Sequence, residues 1–279
     1  MVMGCMFLMM SDAISKWLSQ TYPTGQIMAM RNLFVLIPIL LVVWRSDTFA
    51  DLRVRHWGGQ ILRSLFHVSS ATFFVLSVTY LPLADVSAIA FSGPIFIAAL
   101  APMLLGEHVG WRRWIAILVG FGGVLIMIRP TGAGLQLIGL LPVAAALSSA
   151  FRDILTRRLS GRETSISLLF VSSTAVVIAG LTTLPFGWEP LTLTALILFF
   201  VNGLANGSAH FLIIEAYRNA EAPVVAPFKY SMLLWATLFG FIVWGHLPDL
   251  WIVGGAVPVI AAGLYILHRE RHAAATAKK

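Results

Sequence analysis

The chain has 279 residues, of which 58% are hydrophobic and 11% charged, and its formal net charge is +7. A soluble globular domain carries roughly 25% charged residues. This composition therefore excludes a soluble protein and indicates a polytopic membrane protein, in agreement with a mean hydropathy of +0.87. The cations lie in short stretches between apolar runs, which excludes a nucleic-acid-binding patch. The single cysteine, Cys5, excludes an intramolecular disulfide.

Apolar runs of about 20 residues are long enough to cross a bilayer, and we count ten of them. The first run lacks the basic region and the small-residue cleavage site of a signal peptide, so we expect it to remain as a span. Pro and Gly residues separate the runs, and the short connections predict antiparallel neighbours. The ten predicted spans are 2–20, 25–44, 58–80, 84–105, 112–129, 135–156, 166–186, 191–216, 222–244 and 249–268.

Lysine and arginine are distributed unevenly between the two sets of loops. Because cytoplasmic loops are enriched in these residues, we expect the richer side, and with it both termini, to be cytoplasmic. The other side receives only Arg129. The cations of the richer side are Arg45, Arg53, Arg55, Arg112, Arg113, Arg157, Arg158, Arg162, Arg218, Arg269, Arg271, Lys278 and Lys279.

One polar pattern occurs twice, at 12–19 (DAISKWLS) and 153–160 (DILTRRLS). Both read Asp, two apolar residues, a hydroxyl residue, a cation, one further residue, Leu and Ser. On a helix, the Asp and the cation four residues later lie on one face and can pair. The alternative is that the cations extend to the lipid headgroups from helix ends.

A pattern repeated in corresponding places indicates a duplicated unit. Five spans per half is an odd number, so the two halves must cross the membrane in opposite senses, as in inverted-repeat transporters. The predicted fold is an all-α polytopic membrane protein with ten transmembrane helices in two inverted five-helix repeats. We place repeat 1 at 1–130, repeat 2 at 135–270 and a cytoplasmic tail at 271–279.

The sequence resembles the drug/metabolite transporter superfamily, in particular carriers built from two EamA-type repeats. The matching residues and stretches are Arg31, 84–94 (ADVSAIAFSGP), 105–107 (LGE), 111–114 (WRRW), 226–230 (APFKY) and 245–249 (GHLPD). The Asp-x-x-Ser-Lys pattern and the APFKY run are similar to bacterial uptake carriers for riboflavin and S-adenosylmethionine. One departure is His246, where family members usually carry Glu.

The resemblance implies a multi-pass protein of the bacterial inner membrane with a central cavity lined by spans one, three, four, six, eight and nine. It implies uptake of a vitamin or an activated metabolite by alternating access. The alternative is export of amino acids or toxic amphiphilic compounds, because such exporters share the fold. The expected partners are a small-molecule substrate and membrane lipid, and not nucleic acid.

Polar residues inside the spans are the candidate substrate-binding or gating residues, because an unpaired polar group in hydrocarbon is costly. Span eight carries Asn202, Asn206 and His210 on one helical face. Their alternative role is to bond neighbouring helices. Arg31 lies close in depth to Asp12 and Lys16, where it can join them in a charge cluster or bind an anionic part of a substrate.

Span three carries Arg63, expected to extend to the cytoplasmic surface, and His67, which lies deeper. His67 is a candidate for proton coupling, although a lone His is more often a packing residue.

Span nine carries Lys229 and Tyr230 beside a proline. A buried ammonium needs a partner, and we expect Glu215 or Asp153 to supply it. The alternative is a salt bridge that only fixes the helices.

Motifs for catalysis are absent from the sequence: there is no Gly-x-Ser-x-Gly elbow, no His-Glu-x-x-His and no P-loop lysine motif. We therefore expect no enzyme activity, no cofactor and no metal. Without a P-loop, transport must use an ion gradient, for which protons are a candidate, exchange or the substrate's own gradient.

Overall fold

The computed structural model describes residues 1–45, 49–105, 111–128, 137–159, 162–219, 228 and 231–277. These residues form helices and their connections, with no β-strand among them. The α-helices, which we number in chain order, are α1 Val2–Leu18, α2 Thr24–Arg45, α3 Trp57–Tyr80, α4 Leu83–Ala90, α5 Gly93–Leu105, α6 Trp111–Ile128, α7 Leu140–Leu159, α8 Ser165–Leu181, α9 Leu193–Asn219, α10 Ser231–Trp244 and α11 Leu250–Ala277.

The helices follow the predicted spans with two differences. Span four is not continuous, because α4 ends at Ala90 and α5 begins at Gly93 after a turn at 91–92. Span ten continues as helix to Ala277, nine residues beyond its predicted end at 268. The added residues are polar or alanine, so hydropathy alone ended the prediction too early.

Four stretches of the described chain are helical, long and apolar enough to cross a membrane: Thr24–Arg45, Trp57–Tyr80, Ser165–Phe186 and Leu193–Ile213. Shorter apolar helical stretches are Leu83–Ile97, Trp114–Met127, Ser231–Trp244 and Leu250–Tyr265. Large apolar side chains such as Phe186 and Leu250 are strongly exposed. Apolar length and exposed apolar surface together indicate a multi-pass membrane protein.

The most extensive helix pairings link the first half of the chain to the second. Helix α1 packs on α9 and α10, and α7 packs on α3, α4 and α5. Helices α2 and α8 pair with each other, as do α6 and α11. Each span of the first half has a counterpart five spans later in the second half. If every span is replaced by its counterpart, the same set of pairings is obtained.

Glycines allow two of these pairs to approach closely. On α8, a side chain at Gly180 would place its Cβ 2.6 Å from the Gly25 carbonyl oxygen of α2. On α6, a Cβ at Gly123 would lie 2.6 Å from the Gly255 carbonyl oxygen of α11. Backbone contact of this kind is typical of membrane helix pairs, where small residues let the helices meet.

Candidate functional site

A polar cluster joins α1 to α9 in the interior. We call Ser11, Ser15, Asn202 and Asn206 the serine–asparagine cluster. The Ser11 hydroxyl donates to Asn202 Oδ1 at 2.6 Å, and Asn202 Nδ2 donates to Ser15 Oγ at 3.0 Å. Asn206 Nδ2 donates to Ser11 Oγ at 3.2 Å. None of the four residues is more than 5% exposed, so this cluster holds two helices together and is closed to solvent.

An ion pair lies beside the serine–asparagine cluster, and it is not the pair that helical spacing suggests. Asp12 Oδ1 lies 3.7 Å from Arg31 Nη1 of α2, and both side chains are buried. The same Nη1 lies 3.4 Å from Ser15 Oγ. The expected pairing of Asp12 with Lys16 is therefore wrong, whereas the expected proximity of Arg31 to Asp12 is present.

Lys16 instead bonds to the end of α3. Its Nζ donates to the carbonyl oxygens of Val78 at 2.9 Å and Leu81 at 2.5 Å. The ammonium also lies 5.6 Å from the centre of the Trp244 ring, at the end of α10. Carbonyls at a helix C-terminus lack intrahelical donors and attract cations. Lys16 thus joins α1, α3 and α10 through one side chain.

A second polar cluster brings α3, α7 and α9 together. We call Arg63, His67, Arg152, Asp153 and His210 the arginine–histidine cluster. The rings of His67 and His210 are 6.2 Å apart in an edge-on arrangement. Arg152 Nη1 lies 3.3 Å from His67 Nδ1. Arg152 also pairs with Asp153, with Nη2 to Oδ1 at 2.8 Å.

Arg63 does not extend to the surface as expected. Its Nε donates to Thr156 Oγ1 of α7 at 2.7 Å, and its Nη1 donates to the Leu168 carbonyl of α8 at 3.0 Å and to the Ser172 hydroxyl. These contacts turn Arg63 into the interior, where it links three helices. An arginine has five donors and can satisfy such scattered acceptors at once.

The remaining predicted residues are only partly described. Asp153 is partly exposed and pairs with Arg152 of its own helix. Glu215 lies on α9, and its side chain falls outside the described residues, as do Lys229 and Tyr230 entirely. The expected partnership of Lys229 with Glu215 or Asp153 therefore stays a prediction.

Arg152 is not among the predicted site residues, although the sequence contains a signal for it. When the two copies of the repeated pattern are superimposed, Arg152 takes the place of Ser11, and Thr156 the place of Ser15. A charged residue inside a predicted span, next to a repeated Asp, is a functional candidate. It was overlooked because the basic residues that follow Asp153 suggested the membrane surface.

The two clusters correspond in their contacts as well. Asn202 and Asn206 are four residues apart on α9, as Arg63 and His67 are on α3. Asn202 contacts Ser15 as Arg63 contacts Thr156. Asn206 contacts Ser11 as His67 contacts Arg152. The first cluster is neutral and the second is charged.

The arrangement suits a binding site better than a reaction centre. Hydrogen-bond donors and acceptors from three helices converge at half-buried positions, which is how helix bundles form ligand sites. Among the described residues, no group of three or more His, Cys, Asp or Glu side chains is placed to hold a metal ion.

Comparison with known proteins places the chain among transporters. Residues 1–129 match the model of the EamA-like transporter family. The chain is 28% identical to an S-adenosylmethionine uptake transporter of Rickettsia bellii, over 94% of this chain and 90% of that protein. It is 30% identical to a riboflavin transporter of Vibrio cholerae, over 76% of this chain and 72% of that protein.

A crystal structure of 15% sequence identity has the same fold, with a TM-score of 0.68 over 96% of this chain and 97% of that one. The family and the named relatives indicate a transporter rather than an enzyme. They confirm the resemblance found in the sequence. The chain belongs to the EamA-like transporters of the drug/metabolite transporter superfamily, and it is a multi-pass membrane protein that transports a metabolite.

Proposed function

We propose that this chain takes up a vitamin or an activated metabolite across the bacterial inner membrane. The observation that carries the proposal is the similarity, over nearly the whole chain, to a protein that takes up S-adenosylmethionine, together with that to a riboflavin transporter. Both ligands contain a flat heteroaromatic ring and several hydrogen-bonding groups. The polar side chains that converge from α3, α7 and α9 supply partners for such groups.

The proposed architecture is ten spans in two inverted repeats, 1–130 and 135–270, with both termini and the tail 271–279 in the cytoplasm. Three observations support it. The helix pairings are preserved when the two halves are exchanged. The family model covers 1–129, which is close to the first proposed repeat. Lysine and arginine are concentrated on one side of the predicted spans.

In this topology α1 runs outward and α7 runs inward. The serine–asparagine cluster and Lys16 then lie toward the outer surface, and the arginine–histidine cluster lies toward the cytoplasm. The outer contacts join helices of both repeats, because α1 meets α9 and α10 there. We propose that these contacts separate when the carrier opens outward and re-form when it opens to the cytoplasm, as alternating access requires.

The driving force we propose is exchange or coupling to protons. Uptake into proteoliposomes separates the two: an imposed pH gradient drives accumulation only if protons are coupled, whereas preloaded substrate drives it only by exchange.

The proposed function is tested by uptake into cells that need the ligand. The gene is expressed in one bacterial strain that requires external riboflavin and in another that requires S-adenosylmethionine, and accumulation of each labelled compound is measured. Growth and accumulation of either compound above a vector control are expected. Failure with both compounds contradicts the proposal, and loss of preloaded compound from expressing cells indicates export instead.

A further inference from the structure

We propose that the arginine–histidine cluster binds an anionic group of the transported metabolite, a carboxylate or a phosphate, with Arg152 as its direct ligand. The inference rests on the proposed function, since it presumes that a metabolite enters this part of the molecule. It goes further by specifying the chemical class of that metabolite.

The guanidinium of Arg152 is held in place and still has donor capacity. Asp153 Oδ1 accepts from its Nε at 3.0 Å and from its Nη2 at 2.8 Å, and Nη2 also donates to Ser149 Oγ at 2.7 Å. With the contact to His67, four of the five N–H donors have partners. One Nη1 hydrogen has no acceptor among the described residues. A pre-positioned guanidinium with a free donor is well suited to an oxyanion.

The Arg152 side chain is open to a polar space. It is 20% exposed, and the neighbouring Asp153 side chain is 32% exposed. A charge exposed to hydrocarbon is costly, so arginines within spans face a bundle interior or a water-filled cavity. The exposed part of Arg152 therefore faces a route that a solute can use.

The charges of the described side chains in this cluster do not balance. Arg63 and Arg152 are both cationic, and their charges repel. Asp153 is the one carboxylate among the described members of the cluster. The partners of Arg63 are neutral: a hydroxyl of Thr156, a hydroxyl of Ser172 and a carbonyl of Leu168. An entering anion would relieve the repulsion between the two guanidinium groups.

The alternative is that these charges only hold the helices together. The corresponding α1–α9 interface allows this alternative to be examined. At the corresponding contacts between α1 and α9, Ser11 and Ser15 meet two asparagines, and the interface is fully buried. Neutral residues are therefore sufficient to close this kind of interface in this fold. The charged residues between α3 and α7 have a further role, and anion binding is the one that their chemistry supports.

The test compares ligands that differ in one anionic group. The purified full chain in lipid nanodiscs is titrated with S-adenosylmethionine and with its decarboxylated form, and separately with flavin mononucleotide and riboflavin. The first pair tests for a carboxylate and the second for a phosphate. We expect the member that carries the anionic group to bind more tightly in one pair, by about tenfold to a hundredfold, the range for a hydrogen bond to a charged group.

The variant Arg152→Gln is expected to remove that difference, because it weakens binding of the member that carries the anionic group. Arg158→Gln is the matched control, because it removes the same charge from an exposed position on the same helix, and it should keep the difference. Arg152→Lys should restore only part of it, because lysine cannot form the paired bonds of a guanidinium. The wild-type comparison needs no variant, so poor folding of Arg152→Gln does not remove the test.

The two possible failures are distinguishable. If the members of each pair bind equally, or if the member with the anionic group binds wild type and Arg152→Gln equally, the inference is overturned and the proposed function stands. If none of the four compounds binds and none is taken up by cells, the proposed function fails and the inference fails with it.

Discussion

The α1–α9 and α3–α7 interfaces each join the first half of the chain to the second and correspond to each other when the halves are exchanged, yet they are built from different chemistry. The first is closed by two serines and two asparagines, none more than 5% exposed. The second contains two arginines and a histidine, and its Arg152 side chain is 20% exposed. The α1–α9 interface thus holds two helices together, whereas the α3–α7 interface presents accessible charged groups.

The largest effect on stability is expected when a charged residue is introduced into the neutral α1–α9 interface. Ser11→Arg places a guanidinium at a position that is fully buried and already bonded to Asn202 and Asn206. We expect a loss of stability of roughly 3–5 kcal/mol, as for an uncompensated buried charge. The yield of folded protein and its thermal unfolding midpoint in detergent measure this. Thr182→Arg, at an exposed helix end, is the control. A stable Ser11→Arg variant would remove the distinction between the two interfaces.

The second largest effect on stability is expected when the ion pair between Asp12 and Arg31, beside the neutral interface, is broken. Asp12→Asn is nearly isosteric, but it leaves the guanidinium of Arg31 buried without its carboxylate. We expect transport to be abolished and stability to fall by about 3 kcal/mol.

The double variant Asp12→Asn/Arg31→Gln should recover part of that stability, because it removes the unpaired charge as well. The coupling is measured by a double-mutant cycle of unfolding midpoints. If the single and double variants are equally unstable, the two side chains are not coupled.

The amides of α9 give a smaller effect. Asn202→Leu removes the acceptor of the Ser11 hydroxyl and the amide donor to Ser15 Oγ, which is expected to cost about 1–3 kcal/mol. Asn206→Leu removes a single, longer bond and should cost less. Unfolding midpoints of the two variants check the order. The reverse order would show that Asn202 is not the centre of the cluster.

The smallest effect on stability is expected on the charged side. Arg152→Ser gives α7 the residue that α1 has at the corresponding position. Its ion pair is partly exposed, and such pairs contribute at most about 1 kcal/mol. The unfolding midpoint should stay close to that of wild type and of Arg158→Ser, while uptake falls. A large loss of stability would mean that Arg152 is mainly a packing residue.

The positions of the helices could be predicted because hydropathy depends on each segment separately. The ends were less certain: the turn at 91–92 interrupts a continuous apolar run, and α11 extends through a polar stretch to Ala277. The turn leaves the run apolar, and the polar stretch lowers the hydropathy although the helix continues.

The charged contacts could be predicted only in part, because they depend on which helices meet. Spacing correctly placed Asn202 and Asn206 on one face, and depth correctly placed Arg31 near Asp12. Spacing failed for Lys16, because a long side chain can reach the carbonyls of another helix instead of a carboxylate four residues away. The proximity of His67 to His210 joins α3 to α9, and sequence spacing contains no information on such a contact.

The bonds of Lys16 have a consequence for how this carrier can change during evolution. Its two acceptors are main-chain carbonyls, at positions 78 and 81. Every amino acid supplies such a carbonyl, so substitutions at these positions leave the acceptors in place as long as α3 ends at the same point. For this contact, selection therefore acts on the side chain of residue 16 and on the length of α3, and not on the side chains at positions 78 and 81.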